Sequence, residues 1–266
     1  MPELPEVQTV VDELELICGG KSITAIEVLT NRVFNNQQLI PQILNKQIER
    51  VSRRGKYIVF HLTGNSHYLI AHLRMTGKFL GKPQVTEEKY TRCILMLNQD
   101  EPLYFIDVRQ FGGFDITDSL ADFFSKLGIE PLSNDFNVSY LKDRLQREQP
   151  IKAFLMDQRH IAGLGNIYAD ESLFLAKIHP KRPSKSLNKA EVDILVVEIK
   201  NVLKRAIANM GTTLSDYRNT DNVAGENQNY LFVYGREKRE CKVCATVIEK
   251  IRLAGRGTHY CPTCQK

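Results

Sequence analysis

Gly128-Ile129-Glu130-Pro131 is where the pattern of the chain changes. Before it the sequence reads as strands at Ile23 to Val28, Ile48 to Val51, Tyr57 to Leu62, Tyr68 to Leu73, Cys93 to Leu97 and Leu103 to Val108, broken by Gly, Asn and Pro turns. After it, from about Ser133, the period lengthens to that of helices at Tyr140 to Gln146, Ile151 to Met156, Ile167 to Ala176 and Lys189 to Asn209. The stretch itself is the best linker in the chain. Its 266 residues, 42% hydrophobic, suit one large or two ordinary domains with ample cores. The fold this predicts is α+β in two domains: an antiparallel β-sandwich with an N-terminal helix over residues 1–128, and a helical domain from residue 133. No apolar run approaches the ~20 residues that cross a membrane, which excludes a helical membrane protein.

Outward to the N-terminus, Met1-Pro2-Glu3-Leu4-Pro5-Glu6 leads into Val7, Val10, Val11, Leu14 and Ile17 at helical spacing, with Gly19-Gly20 ending the run. Pro5 suits a first-turn position, and Glu3 and Glu6 sit where a helix start stabilises carboxylates. Removal of Met1 would leave the secondary amine of Pro2 as the first atom of the chain. An α-amino group has an ordinary pKa near ~7.7 to 8.0, roughly two to three units below lysine, so far more of it is able to attack an electrophilic carbon at neutral pH. Glu3 would be within reach of whatever Pro2 attacks. On these residues alone the plainer alternative stays open: two prolines stiffen a chain start and Glu3 is an ordinary helix-start acid.

Outward to the other end, Cys241-Lys242-Val243-Cys244 and Cys261-Pro262-Thr263-Cys264 are separated by sixteen residues. Paired CxxC motifs at this spacing present four thiolates to one tetrahedral Zn²⁺ across a hairpin. Nothing resembling a secretory signal precedes the first helix, so two disulfides are the weaker reading, and Cys18 and Cys93 read as buried apolar residues. With four cysteine ligands no position is left for activated water, so one structural zinc is expected. Between the pairs, Gly255-Arg256-Gly257 would hold Arg256 at a hairpin tip, a guanidinium shaped for a phosphate or simply solvated. The formal charge of +5 is modest, but Arg50, Arg53, Arg54 and Lys56 cluster, as do Arg236, Lys238 and Arg239. Such clusters suit an anionic polymer. Gly163-Leu164-Gly165 lies between predicted helices with Asn166 as the expected N-cap, which would point backbone N–H groups outward as an anion cradle.

Together these residues resemble the bacterial formamidopyrimidine-DNA glycosylase family. The resemblance runs over essentially the whole chain, through Pro2-Glu3-Leu4-Pro5-Glu6-Val7, Ser52-Arg53-Arg54-Gly55-Lys56-Tyr57, His72-Leu73-Arg74-Met75, Asp107-Val108-Arg109-Gln110-Phe111-Gly112, Gly163-Leu164-Gly165-Asn166-Ile167-Tyr168 and the terminal cysteines. It implies an N-terminal catalytic sandwich, a helix-two-turn-helix DNA-binding domain over residues 133–235 and a zinc finger over residues 236–266. The implied activity is excision of oxidised purines, 8-oxoguanine and formamidopyrimidines, from damaged double-stranded DNA, followed by AP lyase cleavage. The implied setting is a monomer in the bacterial cytoplasm, at the nucleoid.

The resemblance also implies roles. Pro2 would attack C1′ and displace the base through an iminium, Glu3 would serve as general acid/base, and Lys56 would bind a phosphate beside the lesion. A base inside the duplex must be flipped out to be reached. Met75 would fill its vacancy, Phe111 would wedge the stack and Arg109 would bond the orphaned partner. His72 would contact the DNA, and Asn166 and Arg256 would grip its backbone phosphates. The segment from Thr212 to Tyr230, rich in Gly, Asn and Asp, would be a mobile loop closing over the flipped base. The chain departs from the family pattern at Tyr90-Thr91-Arg92, where Arg92 could still meet a phosphate, at Gln110, and at Gly113, which following Gly112 would loosen the loop bearing Phe111. Two alternatives remain: an endonuclease VIII-type enzyme for oxidised pyrimidines, and a noncatalytic damaged-DNA binding protein.

Overall fold

The computed structural model describes residues 1–64, 66–98, 101–146, 148–214 and 217–266. They fall into two compact units, Met1–Lys126 with Asn209–Gln228, and Leu127–Ala208 with Asn229–Lys266.

The first unit opens with helix α1 (Leu4–Cys18), then strands β1 (Ile23–Val28), β2 (Ile48–Arg54), β3 (Tyr57–Leu62), β4 (Tyr68–His72) and β5 (Lys78–Leu80). A helical turn α2 (Val85–Glu88), strands β6 (Thr91–Leu97), β7 (Glu101–Ile106) and β8 (Gly113–Thr117), and a turn α3 (Leu120–Phe123) follow. The strands form two four-stranded sheets, ordered β1-β6-β7-β5 and β2-β3-β4-β8. All their pairings are antiparallel. The expected sandwich is therefore present. Strand β6 shows why: Thr91, Cys93, Leu95 and Leu97 are buried while the residues between them are only half so. Between the sheets, Phe105 meets Phe79 and Phe114 at ring separations of 5.2 and 4.9 Å, and Val7, Val10, Val11 and Leu14 of α1 join the same core. Strands β5 and β8 escaped the sequence pattern, being three residues long and glycine-led respectively. Each exists because a neighbouring strand supplies its hydrogen bonds.

The second unit contains α4 (Val138–Arg144), α5 (Ile151–Met156), α6 (Asn166–Leu175), α7 (Lys189–Ala208) and the hairpin β9 (Glu249–Leu253) and β10 (Arg256–Tyr260). The stretch read as a linker is packed here. Gly128 N–H donates to the Gln158 carbonyl at 2.7 Å, and Ala162 N–H to that of Ile129 at 2.8 Å. A Cβ on Gly128 would lie 2.4 Å from the His160 carbonyl, so the glycine serves close backbone approach. Among the described residues no helix is long and apolar enough to cross a membrane.

Candidate functional site

In the first unit the start of α1 is built from its own acids. Pro2 is buried beneath the half-exposed Met1, and Glu3 and Glu6 are buried too. Glu3 is the N-cap and forms a capping box with Glu6. Its N–H donates to Glu6 Oε2 at 2.8 Å, and the other Glu6 oxygen accepts the Thr212 N–H at 2.7 Å. Gly55 and Lys56 form the tight connection between β2 and β3, with Gly55 at φ +59° and Lys56 buried. This turn is tied to α1 through Arg53, whose Nε donates to Gln8 Oε1 at 2.9 Å and whose Nη1 donates to the Gly55 carbonyl at 3.1 Å. Arg53, counted from the sequence as one of a basic cluster, thus braces the turn that carries Lys56.

His72 stands beside that turn, its ring 4.5 Å from Tyr57 and edge-on to it. Burial, with the positive charges of Arg74 and Lys56, pushes its imidazole down from 6.5 to about 3, so the ring is neutral at pH 7. Its Nδ1 accepts the Arg74 N–H at 2.9 Å. The proton therefore sits on Nε2, leaving one neutral donor.

Met75 meets Arg109 and Phe111 although it lies more than thirty positions before them. Arg109 Nη1 lies 3.3 Å from Met75 Sδ, and the guanidinium stacks 4.9 Å from the Phe111 ring centroid. Phe111 is 56% exposed and Met75 36%, so large apolar side chains stand in water around an arginine. Asp107, which sequence reasoning did not single out, organises them. It is fully buried, accepts the N–H groups of Arg109 (3.1 Å) and Gly112 (2.7 Å), and accepts a hydrogen bond from the Thr76 hydroxyl. The Asp-x-Arg spacing of an Asx turn was the available signal. Arg92 also serves this frame, donating to the carbonyls of Asp107 and Lys89. The looseness expected from Gly112-Gly113 is not there. A Cβ on Gly112 would lie 2.8 Å from the His72 carbonyl and one on Gly113 2.4 Å from that of Val33, so both glycines permit contact.

The segment predicted to be a mobile loop is heavily hydrogen-bonded where it is described; Ser215 and Asp216 lie outside the described residues. Thr213 N–H donates to Gln228 Oε1 and Asn227 Nδ2 to Thr212 Oγ1, at 3.0 and 2.8 Å.

In the second unit Asn166 is the first residue of α6 and Gly165, in extended conformation, is the N-cap, one position earlier than the sequence suggested. Asn166 Nδ2 donates to Tyr234 Oη (3.1 Å) and the Gly257 carbonyl (3.2 Å), beside the exposed Arg256. The anion cradle is smaller than expected, because Gly163 N–H donates to Gln158 Oε1 at 2.8 Å. Two buried acids of α6, both missed by sequence reasoning, hold the C-terminal segment. Glu171 accepts the N–H groups of Phe232, Val233 and Tyr234 at 2.8 to 2.9 Å, while its complete burial pushes its carboxyl up. Asp170 pairs with the buried Lys152 at 2.7 Å and accepts the His259 N–H at 2.8 Å.

The Sγ atoms of Cys241, Cys244, Cys261 and Cys264 all lie within 4.8 Å of one another, with Cys244 3.4 Å from both Cys261 and Cys264 and Cys241 3.9 Å from Cys264. Zinc–sulfur bonds of about 2.3 Å in a tetrahedron place sulfurs about 3.8 Å apart, so the donor set fits one zinc. It is a structural ion, held by all four cysteines at the base of the β9–β10 hairpin.

Fold and site define a sandwich protein headed by a Pro-Glu helix start, joined to a helical unit that ends in a four-cysteine zinc finger. Residues 1–114 match the formamidopyrimidine-DNA glycosylase N-terminal domain, residues 127–218 the formamidopyrimidine-DNA glycosylase H2TH domain, and residues 240–266 the zinc finger found in FPG and IleRS. A formamidopyrimidine-DNA glycosylase of Rickettsia bellii is 43% identical, covering 100% of both chains. Two solved structures of the Lactococcus lactis FPG protein cover 100% of both chains at 38% identity. A glycine-to-proline mutant of that protein in complex with a Fapy-dG containing DNA aligns at TM-score 0.91. The wild type in complex with an oxidised pyrimidine containing DNA aligns at 0.90. The chain belongs to the formamidopyrimidine-DNA glycosylase family.

Proposed function

We propose that this protein is a bifunctional DNA glycosylase and AP lyase that removes oxidised purines from duplex DNA in base excision repair. The observation that carries the reading is the head of α1: buried Pro2 and Glu3, braced by Glu6 and tied through Gln8 and Arg53 to the turn bearing Lys56. With Met1 removed, the Pro2 nitrogen attacks C1′ and the base leaves with the bonding pair of the glycosidic bond. Glu3 protonates the sugar ring oxygen as the ring opens, giving an iminium. Its fixed positive charge acidifies the neighbouring sugar protons, so β- and δ-elimination release both phosphates. Lys56 and His72 bind phosphate near the lesion, the second as a neutral donor. Met75, Arg109 and Phe111 occupy the vacated duplex position, an exposed apolar set around one guanidinium being suited to a base stack. Asn166 and Arg256 grip the backbone, and the 212–230 segment covers the flipped base. The domains follow as a catalytic sandwich over 1–128, a helix-two-turn-helix over 133–235 and a zinc finger over 236–266. The protein acts as a monomer in the bacterial cytoplasm, at the nucleoid.

Borohydride trapping on duplexes carrying 8-oxoguanine, 5-hydroxycytosine or no damage tests this, with the N-terminal residue checked by intact mass. The expected result is a covalent adduct on the 8-oxoguanine duplex that Pro2→Gly abolishes while DNA affinity is kept. Unchanged turnover in Pro2→Gly would sink the N-terminal mechanism. A second reading, preference for oxidised pyrimidines, is favoured by the Lactococcus complex with an oxidised pyrimidine DNA, and stronger trapping on 5-hydroxycytosine would select it. Binding without any adduct, in protein lacking Met1, would point to a noncatalytic damaged-DNA binding protein.

A further inference from the structure

Helix α1 carries more than its own start. Seven residues after Glu6, on the same helical face, Glu13 points a second carboxylate at the 209–228 segment. Its Oε1 accepts from Asn219 Nδ2 at 2.7 Å, and its Oε2 accepts from both the N–H and the hydroxyl of Thr220 at 2.8 Å. Asn219 and Thr220 are buried. Between the two acids lies the buried Tyr217, whose hydroxyl donates to the Met210 carbonyl at 3.2 Å and whose ring joins the sandwich core. Asn219 in turn folds the tip. Its Oδ1 accepts the N–H groups of Asp221 (3.2 Å) and Val223 (2.7 Å), and its N–H donates to the Val223 carbonyl at 3.0 Å. The segment thus ends at α1 in two carboxylate grips, one of them on the turn that also holds Glu3.

We propose that Glu13 is a positioning residue: by gripping Asn219 and Thr220 it docks the base-covering segment on the helix that presents Pro2 and Glu3, so that the flipped base is covered where the nucleophile already stands. The inference rests on the glycosylase reading for what the segment covers, and on geometry for the grip. Its consequence is selective. Excision of a damaged base requires the docked segment; elimination at an abasic site, where no base remains to be covered, does not.

Glu13→Gln is the test, because the amide is isosteric yet cannot satisfy the site. With its oxygen toward Thr220, its NH₂ opposes Asn219 Nδ2; reversed, its NH₂ opposes the two Thr220 donors. Asn219 cannot flip to relieve this, since its Oδ1 is already committed to the 221 and 223 amides. The double variant Glu13→Gln/Asn219→Asp restores a donor opposite an acceptor and preserves net charge. In single-turnover assays on holoenzyme, Glu13→Gln should slow 8-oxoguanine excision about tenfold, the loss of a hydrogen bond to a charged group. Strand cleavage at a preformed abasic site should stay within about twofold, and the double variant should recover most of the excision rate. Amide hydrogen exchange at Thr220 should rise in the single variant and fall back in the double. Equal losses on both substrates, no loss on either, or failure of the double variant to restore Thr220 protection would overturn the proposal. If wild-type protein cleaves the abasic duplex but leaves 8-oxoguanine untouched, the purine reading fails instead, and exchange at Thr220 with its rescue still decides the grip.

Discussion

The sandwich and the zinc hairpin solve the same problem with different forces. Both hold irregular backbone by aiming buried carboxylates at N–H groups: Glu6 and Asp107 in the first unit, Asp170 and Glu171 in the second. They differ in what lies behind the acids. The sandwich has a continuous apolar core of α1, both sheets and a phenylalanine cluster. The hairpin has Phe174, Val233, Ile248 and two of its own metal ligands, Cys241 and Cys261. Burial of aliphatic and aromatic surface can sustain a fold of the first kind, at roughly 25 cal/mol per Å². A core of five residues cannot, and the metal supplies the difference. The lesson is that loops which must stay exposed to meet a ligand are fixed by acids wherever they occur, while the mass beneath them is fixed by whatever the local sequence length allows.

The strongest way to break that comparison is to remove the metal. Chelation, or Cys261→Ser, should forfeit on the order of 10 kcal/mol of metal-linked folding energy. Amide signals of residues 240–266 should collapse and DNA affinity should be lost, while the sandwich signals keep their dispersion. Collapse of both sets together would show that the sandwich core does not stand alone. The next largest effect should come from Lys152→Ala, which strands the buried Asp170 carboxylate and should cost about 3 to 5 kcal/mol in denaturant unfolding. Lys152→Met with Asp170→Leu should recover much of it; a single-variant loss below about 1 kcal/mol would mean that the pair is as slight as a surface bridge. The smallest effect belongs to the sandwich and to pH. Unfolded His72 takes up a proton below 6.5, which the folded ring refuses until about 3, so its contribution is intact above 6.5 and drains away as pH falls through that window. At pH 5 this should amount to about 2 kcal/mol, absent in His72→Gln. An imidazole seen by NMR to titrate near 6.5 would refute the depression by burial and by the charges of Arg74 and Lys56.

Much of this molecule was legible in its sequence because the signals were local. A period of two along Cys93 to Leu97, a helical stripe from Val7 to Ile17, and cysteines at fixed spacing each report their own neighbourhood. Strands β5 and β8 were not legible, since a three-residue run and a glycine-led one acquire strand geometry only from a partner. Nor were the acids. Nothing in the local pattern separates Glu13 from Glu15, or Asp107 from any other turn aspartate. Arg53 read as one of a cluster of cations, and only the approach of Gln8 and the Gly55 carbonyl shows it facing inward. Gly112, Gly113 and Gly128 read as loose or linking, and each proved to be a place where two backbones touch.

By itself the sequence determined the strand-then-helix order, the metal ligands, the helix start bearing Pro2 and Glu3, and membership of a family through motifs along the chain. These depend on spacing, and spacing survives in one dimension. Tertiary structure alone decided which charged groups turn inward, which tautomer His72 carries, how Met75 meets Arg109 and Phe111 across more than thirty positions, and that residues 209–228 belong with the first unit. Those outcomes depend on which backbone amides and charges are brought within about 3 Å of a side chain. That is a property of the folded chain, since the same carboxylate is solvated in one place and buried against three N–H groups in another.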